Sequence, residues 1–405
     1  MSSGCCPDKP SSLLASVADA SALVIATARL LPKLTDTGVV GGVLREPLIA
    51  DRPHPPFDRV AMDGIAARHI DLIAGAPLRE VAFQPAGAPP HALPTEPFVC
   101  VRVATGSILP PGTDTVVPVE HLDSTGPGTW ILARPAPGLG ANIHRTGSDI
   151  PAGRIVLGVG ARLDACALGA AATFGRPLPD VSALPRIALV CTGDEIVPPE
   201  TTPLAHQIRA SHPATLRTAL ALAGFPCPQA RLVSDRRGEL EATLESLAPY
   251  DLLLCTGGVS VGERDLVPAA LAGAGFRPLF HGVAMKPGKP LWFGVADDER
   301  TAFGLPGNPV SALIALVRFV LPHLRARAGS SHPDPFLRLS VAGDLRDDAR
   351  TRFLPAKLED HPSGTRARPV RSTGSGDLPA LAGTDGFLEI PPGTPPATAV
   401  FRPWP

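Results

Sequence analysis

Two lysines stand three residues apart in Lys286-Pro287-Gly288-Lys289-Pro290, and that pattern suits anion chemistry. Lysine ammonium groups are compact point charges, and Pro and Gly restrict the loop so that both can converge on one oxyanion such as a phosphate. The competing description is an open loop with two solvated lysines. Rarity favours the first, because only Lys9, Lys33, Lys286, Lys289 and Lys357 are lysines among 37 basic residues. Met285 precedes the pair, and methionine otherwise occurs only at Met1 and in Ala61-Met62-Asp63-Gly64. The only asparagines are Asn142 and Asn308, the latter in Gly304-Leu305-Pro306-Gly307-Asn308-Pro309. In a chain biased toward Ala, Arg, Gly and Pro, such rare residues mark the stretches that carry chemistry.

A second candidate is Gly257-Gly258-Val259-Ser260-Val261-Gly262, which follows a strand-like run and precedes a helical one. Backbone N–H groups of a glycine-rich loop there face anions, although a tight strand-to-helix turn accounts for the same residues. It is neither a Walker loop nor the dinucleotide fingerprint. Asp265 sits near the following helix start, where a carboxylate often serves only as a cap. Asp194 and Glu195 follow the apolar run Ile187 to Val190. Acidic groups at the ends of neighbouring strands suit a magnesium ion shared with substrate phosphates, a weak signal by itself. Asn308 and Pro309 fit the N-cap and first turn of a helix, whose N-terminus is also a natural anion site. Asp58 and Asp63, and Thr105-Gly106, lie in shaped loops to which chemistry alone assigns no role.

The elements that must position these residues change character along the chain. Residues 11–31 read as a helix, capped by Ser11 or Ser12 and stopped by Pro32. Residues 32–60 are Gly- and Pro-rich, and from about 70 to 140 short β-like runs alternate with Pro/Gly turns. A helix follows from Ala165 to Thr173. From Pro185 strand and helix alternate: strands at Ile187 to Val190, Arg231 to Val233, Asp251 to Cys255, Pro290 to Val295 and Ala302 to Leu305, with helices at Thr215 to Gly224, Arg237 to Leu247, Leu266 to Leu271 and Pro309 to Arg325. That alternation is a doubly wound α/β domain. Residues 328–405 return to β-like, Pro/Gly-rich sequence.

Bulk composition excludes several classes. A 405-residue chain with 44% hydrophobic and 19% charged residues has material for two to four packed domains. A formal net charge of −1 gives no global field toward nucleic acid or anionic lipid. No apolar run reaches the ~18–20 residues of a membrane span, and Met1 to Pro10 does not read as a signal peptide. Seven cysteines form no C-x-x-C pair, and Cys100, Cys166, Cys191 and Cys255 lie in apolar or strand-like stretches. Reduced, buried thiols in a cytoplasmic protein are expected, without zinc.

Taken in order, the motifs resemble the molybdopterin molybdenumtransferase family, the MoeA-like proteins that include the E domain of gephyrin. The likeness runs through Phe57-Asp58, Ala61-Met62-Asp63-Gly64, Arg102-Val103-Ala104-Thr105-Gly106, Thr113-Asp114-Thr115-Val116-Val117, Asn142-Ile143, Gly147-Ser148-Asp149-Ile150 and Thr192-Gly193-Asp194-Glu195. It continues through Gly257 to Gly262 with Asp265, Lys286 to Pro290, Leu305 to Ser311, Gly374-Ser375-Gly376-Asp377 and Gly386-Phe387-Leu388. The resemblance implies a multidomain α/β protein: an extended N-terminal dimerisation domain (11–53 and 141–182), an inserted β-rich lobe (54–140), a doubly wound molybdopterin-binding domain (183–327) and a small β-barrel-like domain (328–405).

It also implies an enzyme that inserts molybdate into adenylylated molybdopterin with Mg²⁺-dependent release of AMP. By motif, Glu195 and Asp265 lie at the magnesium and pyrophosphate, and Lys286 and Lys289 at molybdate or the pterin phosphates. Gly257, Gly258, Ser260, Pro290, Pro306 and Asn308 line the substrate. Arg352 and Ser375 hold molybdate, and Asp235 matches an acidic position. Asp63 and Thr105 complete the active site of the other subunit in a homodimer. Glu195, Asp265 and Asp63 are the carboxylates able to steer a water at the anhydride. The implied partners are a pterin adenylyltransferase and recipient apo-molybdoenzymes. The alternatives are a non-catalytic pterin-binding scaffold and a pterin adenylyltransferase.

Three departures from the family pattern stand out. Ile65 replaces the usual Tyr, Gly282 lies where relatives often carry Lys, and Ala210-Ser211-His212 stands where Asp-Ser-Asn is common. They are expected around the pterin site.

Overall fold

Alternate residues of the strands after Pro185 pack into two different cores, and that alternation sets the architecture. Ile187, Leu189, Cys191, Leu252 and Leu254 pack with Leu216, Leu220, Ala312 and Leu316. Ala188, Val190, Leu253 and Cys255 pack with Leu240, Leu244, Val267 and Leu271. A strand buried on both faces reads as a continuous apolar run, as these do.

The computed structural model describes residues 14–35, 41–247, 249–259, 266–332, 334–342, 348–393 and 397–405. It divides into two compact units, residues 1–45, 159–164 and 180–405, and residues 46–158 and 165–179.

In the first unit a six-stranded sheet runs Gln229–Val233, Ile187–Thr192, Leu252–Thr256, Thr301–Leu305, Trp292–Val295, Arg277–His281. The first four strands are parallel, and the last two are joined to them and to each other by antiparallel pairings. Helices His212–Leu222 and Pro309–Ala315 cover one face, and Arg237–Ser246 and Val267–Gly273 the other. The sheet is therefore doubly wound, with an antiparallel edge whose outer strand, Arg277–His281, the sequence pattern does not reveal. Pro309–Arg327 is long and apolar enough to cross a membrane by length alone, yet most of it is buried in this core. A π turn at Leu316–Val320 interrupts it just before Pro322, which has no N–H to give the helical ladder.

The N-terminal helix is shorter than expected. It spans Val17–Ala26 and is capped by Ser16, whose Oγ accepts from the Asp19 N–H at 3.0 Å. Ser11 and Ser12 lie outside the described residues. Val17, Ala20 and Val24 face the core, and the Val24 carbonyl lies 2.9 Å from Nδ1 of the buried His323.

Strands Leu337–Val341, Thr351–Glu359, Arg366–Pro369, Gly386–Ile390 and Thr398–Pro403 close into a five-stranded barrel, because Thr351–Glu359 pairs with both Arg366–Pro369 and Gly386–Ile390. Ala356, Ala367, Leu388, Ala399 and Phe401 fill it. Outside the barrel, the short strand Met285–Lys286 pairs parallel with Thr351 and Arg352.

The second unit holds another six-stranded sheet, ordered Thr115–Pro118, Gly64–Ala67, Val99–Val103, Leu78–Gln84, Thr129–Leu132, Leu122–Gly126. Val60, Ala66, Val101 and Val116 pack on one face, and Ile65, Leu72, Leu78 and Cys100 on the other. Leu48–Ile49 pairs with Ile155–Leu157, and helix Ala165–Thr173 buries Ala171 against Leu48, Ala50 and Phe174. Cys166 on that helix is exposed, contrary to expectation, because the helix turns Ala167 and Ala171 inward instead. Cys100, Cys191, Cys227 and Cys255 are buried.

Candidate active site

The carboxyl ends of the four parallel strands form a row, and the sequence loads that row unevenly. Asp235 follows Gln229–Val233, Asp194 and Glu195 follow Ile187–Thr192, Gly257 follows Leu252–Thr256, and Pro306 to Asn308 follow Thr301–Leu305. Neighbouring strands are ~4.8 Å apart, so acids occupy one end of the row and a glycine turn its middle. Ligands of open α/β sheets bind at this edge.

At the acidic end the Asp235 N–H donates to Asp194 Oδ1 at 3.1 Å. Burial first, and then the charges of Glu195 and Asp194, raise the Asp235 carboxyl. Among the described residues no group of three or more His, Cys, Asp or Glu is arranged to hold a metal ion. Mg²⁺ needs only one or two carboxylates when phosphate oxygens and water complete its octahedron, and crowded acids are that donor type. Asp265 and Ser260 lie outside the described residues.

In the middle, Gly257 has φ +86, and a Cβ there would lie 2.4 Å from the Thr192 carbonyl oxygen, so only glycine fits. Gly307 packs on it, its own Cβ position lying 3.4 Å from Gly257 Cα. The loop after Thr301–Leu305 is thus seated on the glycine turn.

Beyond Asn308 lies a cavity of about 690 Å³ between the α/β loops and the barrel. Lys286, Lys289, Pro290, Pro306, Asn308, Arg352 and Ser375 all line it. Arg350 and Arg371 add two cations that sequence reasoning missed. Lys286 and Arg352 are register partners on adjacent strands. Asp348, also missed, lies with its Oδ2 3.1 Å from Lys286 Nζ and its Oδ1 3.3 Å from Arg350 Nε. The Lys286 ammonium first, then the Arg350 N–H, lowers the Asp348 carboxyl to about 2. Five cations on the wall against one carboxylate behind it make this an anion site.

Asn308 occupies the N-cap position of Pro309–Ala315 as expected, but its side chain makes no capping bond. Nδ2 instead donates to Ser375 Oγ at 2.7 Å, and the Val310 N–H donates to the Ser375 carbonyl at 3.1 Å. Asp377 shapes the loop bearing Ser375 by accepting from the Thr373 N–H at 2.9 Å and its hydroxyl at 3.1 Å. The tip of an α/β loop and a barrel loop are therefore tied together at the cavity.

In the second unit, Asp63 Oδ1 accepts from the Thr105 N–H at 2.6 Å and its hydroxyl at 2.7 Å. These bonds lower the Asp63 carboxyl. The site residues thus fall in three places: the cavity set, the strand-end loops carrying Glu195, Asp235, Gly257 and Gly258, and the Asp63–Thr105 pair.

The departures have structural explanations. Ile65 is fully buried in the lobe sheet. Gly282 has φ +104, with Leu14 Cδ2 2.7 Å from its Cβ position, so a side chain there is strained. His281 Nε2 lies 2.7 Å from the Val259 carbonyl oxygen, which ties it to the glycine turn. His212 is buried with Nδ1 3.3 Å from Thr256 Oγ1, and desolvation pushes its pKa down to about 4.

A doubly wound domain that meets a five-stranded barrel across a cationic cavity defines an anion-binding multidomain α/β protein. Residues 15–175 match the MoeA N-terminal region (domains I and II), residues 188–326 a probable molybdopterin binding domain, and residues 338–399 the MoeA C-terminal region (domain IV). The chain is 34% identical over 358 residues to the molybdopterin molybdenumtransferase of Synechocystis sp., covering 87% of this chain and 89% of that one. It is 33% identical over 373 residues to molybdopterin molybdenumtransferase 2 of Mycobacterium tuberculosis, covering 88% and 89%. A crystal structure of the molybdopterin biosynthesis moeA protein from Pyrococcus horikoshii OT3 superposes with a TM-score of 0.79 at 25% identity, covering 96% of this chain and 98% of that one. The chain belongs to the molybdopterin molybdenumtransferase family of enzymes.

Proposed function

We propose that this enzyme transfers molybdenum from molybdate to adenylylated molybdopterin, with Mg²⁺-dependent release of AMP. The cationic cavity carries the reading. It joins Lys286, Lys289 and Arg352 to the Asn308–Ser375 pair, beside the glycine turn at the strand ends.

Both substrates are anions, so their approach is opposed by repulsion that fixed positive groups must cancel. Lys286, Arg352 and Ser375 supply charge and a hydroxyl for a tetrahedral oxyanion, and Lys289 lies on the same wall. Asp348 holds Lys286 in place, so little reorganisation accompanies binding. The glycine turn at Gly257 and Gly258 offers a close backbone approach to the phosphate chain. Glu195, with Asp265 as the other carried-over ligand, would hold a Mg²⁺ ion, which would supply Lewis-acid polarisation of the phosphoanhydride. Asp235, whose carboxyl is raised by burial and by its acidic neighbours, lines the phosphate end. Asp63 and Thr105 act in trans in a homodimer. A cytoplasmic site of action goes with this reading, as do a separate adenylyltransferase supplying the substrate and apo-molybdoenzymes receiving the product.

The test combines purified protein, adenylylated molybdopterin, Mg²⁺ and molybdate, and follows AMP release together with reconstitution of an apo-molybdoenzyme. Molybdate-dependent release with reconstitution is expected. Tight pterin binding without AMP release would mean a carrier instead.

A further inference from the structure

The lobe sheet carries a second cleft, of about 310 Å³, that the anion chemistry above does not use. Register places Ile65, Arg102 and Phe83 side by side on three adjacent strands, because Arg102 opposes Ile65 on one side and Phe83 on the other. The Arg102 guanidinium lies over the Phe83 ring, 4.3 Å from its centroid. Glu80 fixes that pair: its Oε1 is 3.1 Å from Arg102 Nε, while its Oε2 accepts from Trp130 Nε1 at 2.9 Å. One carboxylate thus locks an arginine and an indole into a wall. Phe83 is 41% exposed, which is unusual for a ring held this firmly. Asp63 stands at the rim. Thr105 saturates its Oδ1, and among the described residues Oδ2 has no hydrogen-bond partner.

A preset aromatic and guanidinium wall with an acceptor at its edge fits a flat heterocycle that offers donors. We propose that this cleft binds the pterin ring of the substrate, stacked on the Trp130–Arg102–Phe83 wall with its 2-amino group donating to Asp63 Oδ2. The pyrimidinone edge of a pterin presents only donors there, the 2-amino group and the adjacent N3–H, so a carboxylate oxygen at that edge meets no lone pair. Adenine, the other flat ring of that substrate, sets a ring-nitrogen acceptor beside its amino group, and a carboxylate repels that acceptor. Stacking on aromatic and guanidinium faces tolerates either ring, so Asp63 makes the choice. The cleft volume suits one ring, at the lower end of the ~300–1,000 Å³ of small-molecule sites. This inference rests on the proposed substrate and assigns its ring end, leaving the cationic cavity to the oxyanion.

The test titrates 6-hydroxymethylpterin, and separately adenosine, into the full-length protein, following the pterin by its own fluorescence anisotropy and adenosine by calorimetry. Saturable pterin binding is expected, with Kd raised about tenfold or more in Asp63→Asn and in Trp130→Phe, and adenosine should not compete. Both substitutions are close in shape, and thermal unfolding of each variant checks that the lobe stays folded. Pterin binding that is equal in all three proteins, alongside intact molybdate-dependent AMP release, would overturn this inference and leave the insertase reading standing. Lost AMP release with Asp63-sensitive pterin binding would do the reverse. Adenosine binding in preference to pterin would overturn the ring assignment. A change in sedimentation in Phe83→Ala without a change in pterin affinity would mean that another copy of the chain covers the cleft, which would also overturn it.

Discussion

Lys286 and Arg352 sit opposite one another on neighbouring parallel strands, one from the α/β domain and one from the barrel strand Thr351–Glu359. Backbone pairing of that kind fixes two cations side by side, and like charges so placed repel unless an anion joins them. Asp348 answers part of that repulsion at Lys286, and both cations line the cavity. Lys286→Ala and Arg352→Ala should each raise the KM for molybdate about tenfold or more, since a hydrogen bond to a charged group is worth ~1.5–3 kcal/mol. Molybdate titration of AMP release measures this, and an unchanged KM in both variants would remove the cavity from molybdate binding.

Asp348 acts through Lys286 and is a positioning residue. Its folded pKa, about 2, lies below the ordinary carboxylate value. The ion pair is therefore complete above about pH 4 and is lost only as the pH falls through about 2. Asp348→Asn should raise the molybdate KM several-fold while kcat falls less, because the lysine remains but is no longer held. The wild-type molybdate KM should show no titration between pH 5 and 8 from this pair. A kcat loss as large as that of Lys286→Ala, with KM unchanged, would refute the positioning role.

The lysine pair and the glycine turn were legible in the sequence because Lys, Asn and Met are rare in it and Gly257 has no alternative residue. The doubly wound sheet was legible because strands buried on both faces read as unbroken apolar runs. Arg350 and Arg371 were not legible, since arginine is the common base of this chain and its presence carries no signal. Asp348 acts through a partner 62 residues away, a relation that spacing does not encode. Asn308 misled in a specific way. Asn followed by Pro is ordinary capping chemistry, and only the approach of the Ser375 loop diverts its side chain. The two-residue strand Met285–Lys286 is too short for any periodicity, yet its pairing brings the lysine to the arginine.

Asn308 separates stability from function. A side chain that caps a helix costs ~1 kcal/mol when truncated to Ala. Asn308 does not cap, so Asn308→Ala should cost only about 0.5 kcal/mol of unfolding free energy, the range of an ordinary surface change. It should nevertheless weaken molybdate-dependent turnover to the same degree as Ser375→Ala, and the double variant should add little, because the two side chains form one pair. Urea unfolding and a kinetic double-mutant cycle read both quantities. Additive kinetic losses would show that the two residues act apart.

Two buried histidines predict the acid side of the stability curve. Desolvation holds His212 and His323 at about 4, below the unfolded value of ~6.5. The folded state therefore binds fewer protons than the unfolded chain between those values. Stability is full above about pH 6.5 and falls as the pH drops toward about 4, by up to ~1.4 kcal/mol per pH unit for each histidine. His323 Nδ1 also donates to the Val24 carbonyl at 2.9 Å, and its Nε2 lies 3.1 Å from Thr301 Oγ1, so its removal disturbs packing. His212→Asn is the cleaner variant. Denaturant unfolding across this pH range should give it a shallower slope than wild type, and parallel slopes would mean that His212 does not titrate in this window.

Gly282 tests whether a departure from the family pattern is a loss or a constraint. The family resemblance implies a Lys at this position, and on that expectation Gly282→Lys would add a cation near Lys286. The backbone argues otherwise. At φ +104 an L side chain is strained by ~1–3 kcal/mol, and Leu14 Cδ2 lies where the first side-chain atom would go. The N–H of Gly282 donates to the Leu291 carbonyl at 2.8 Å, and its own carbonyl accepts from the Ala15 N–H at 3.2 Å, so the segment cannot relax without breaking both bonds. Gly282→Lys should therefore lose stability by about as much as Gly282→Ala, because the cost lies in the backbone and the first carbon, which both share. Leu14→Ala should recover only the contact part of that loss in the double variant. If Gly282→Lys instead kept wild-type unfolding free energy and raised turnover, the segment would be adaptable and the glycine a true loss of a binding group.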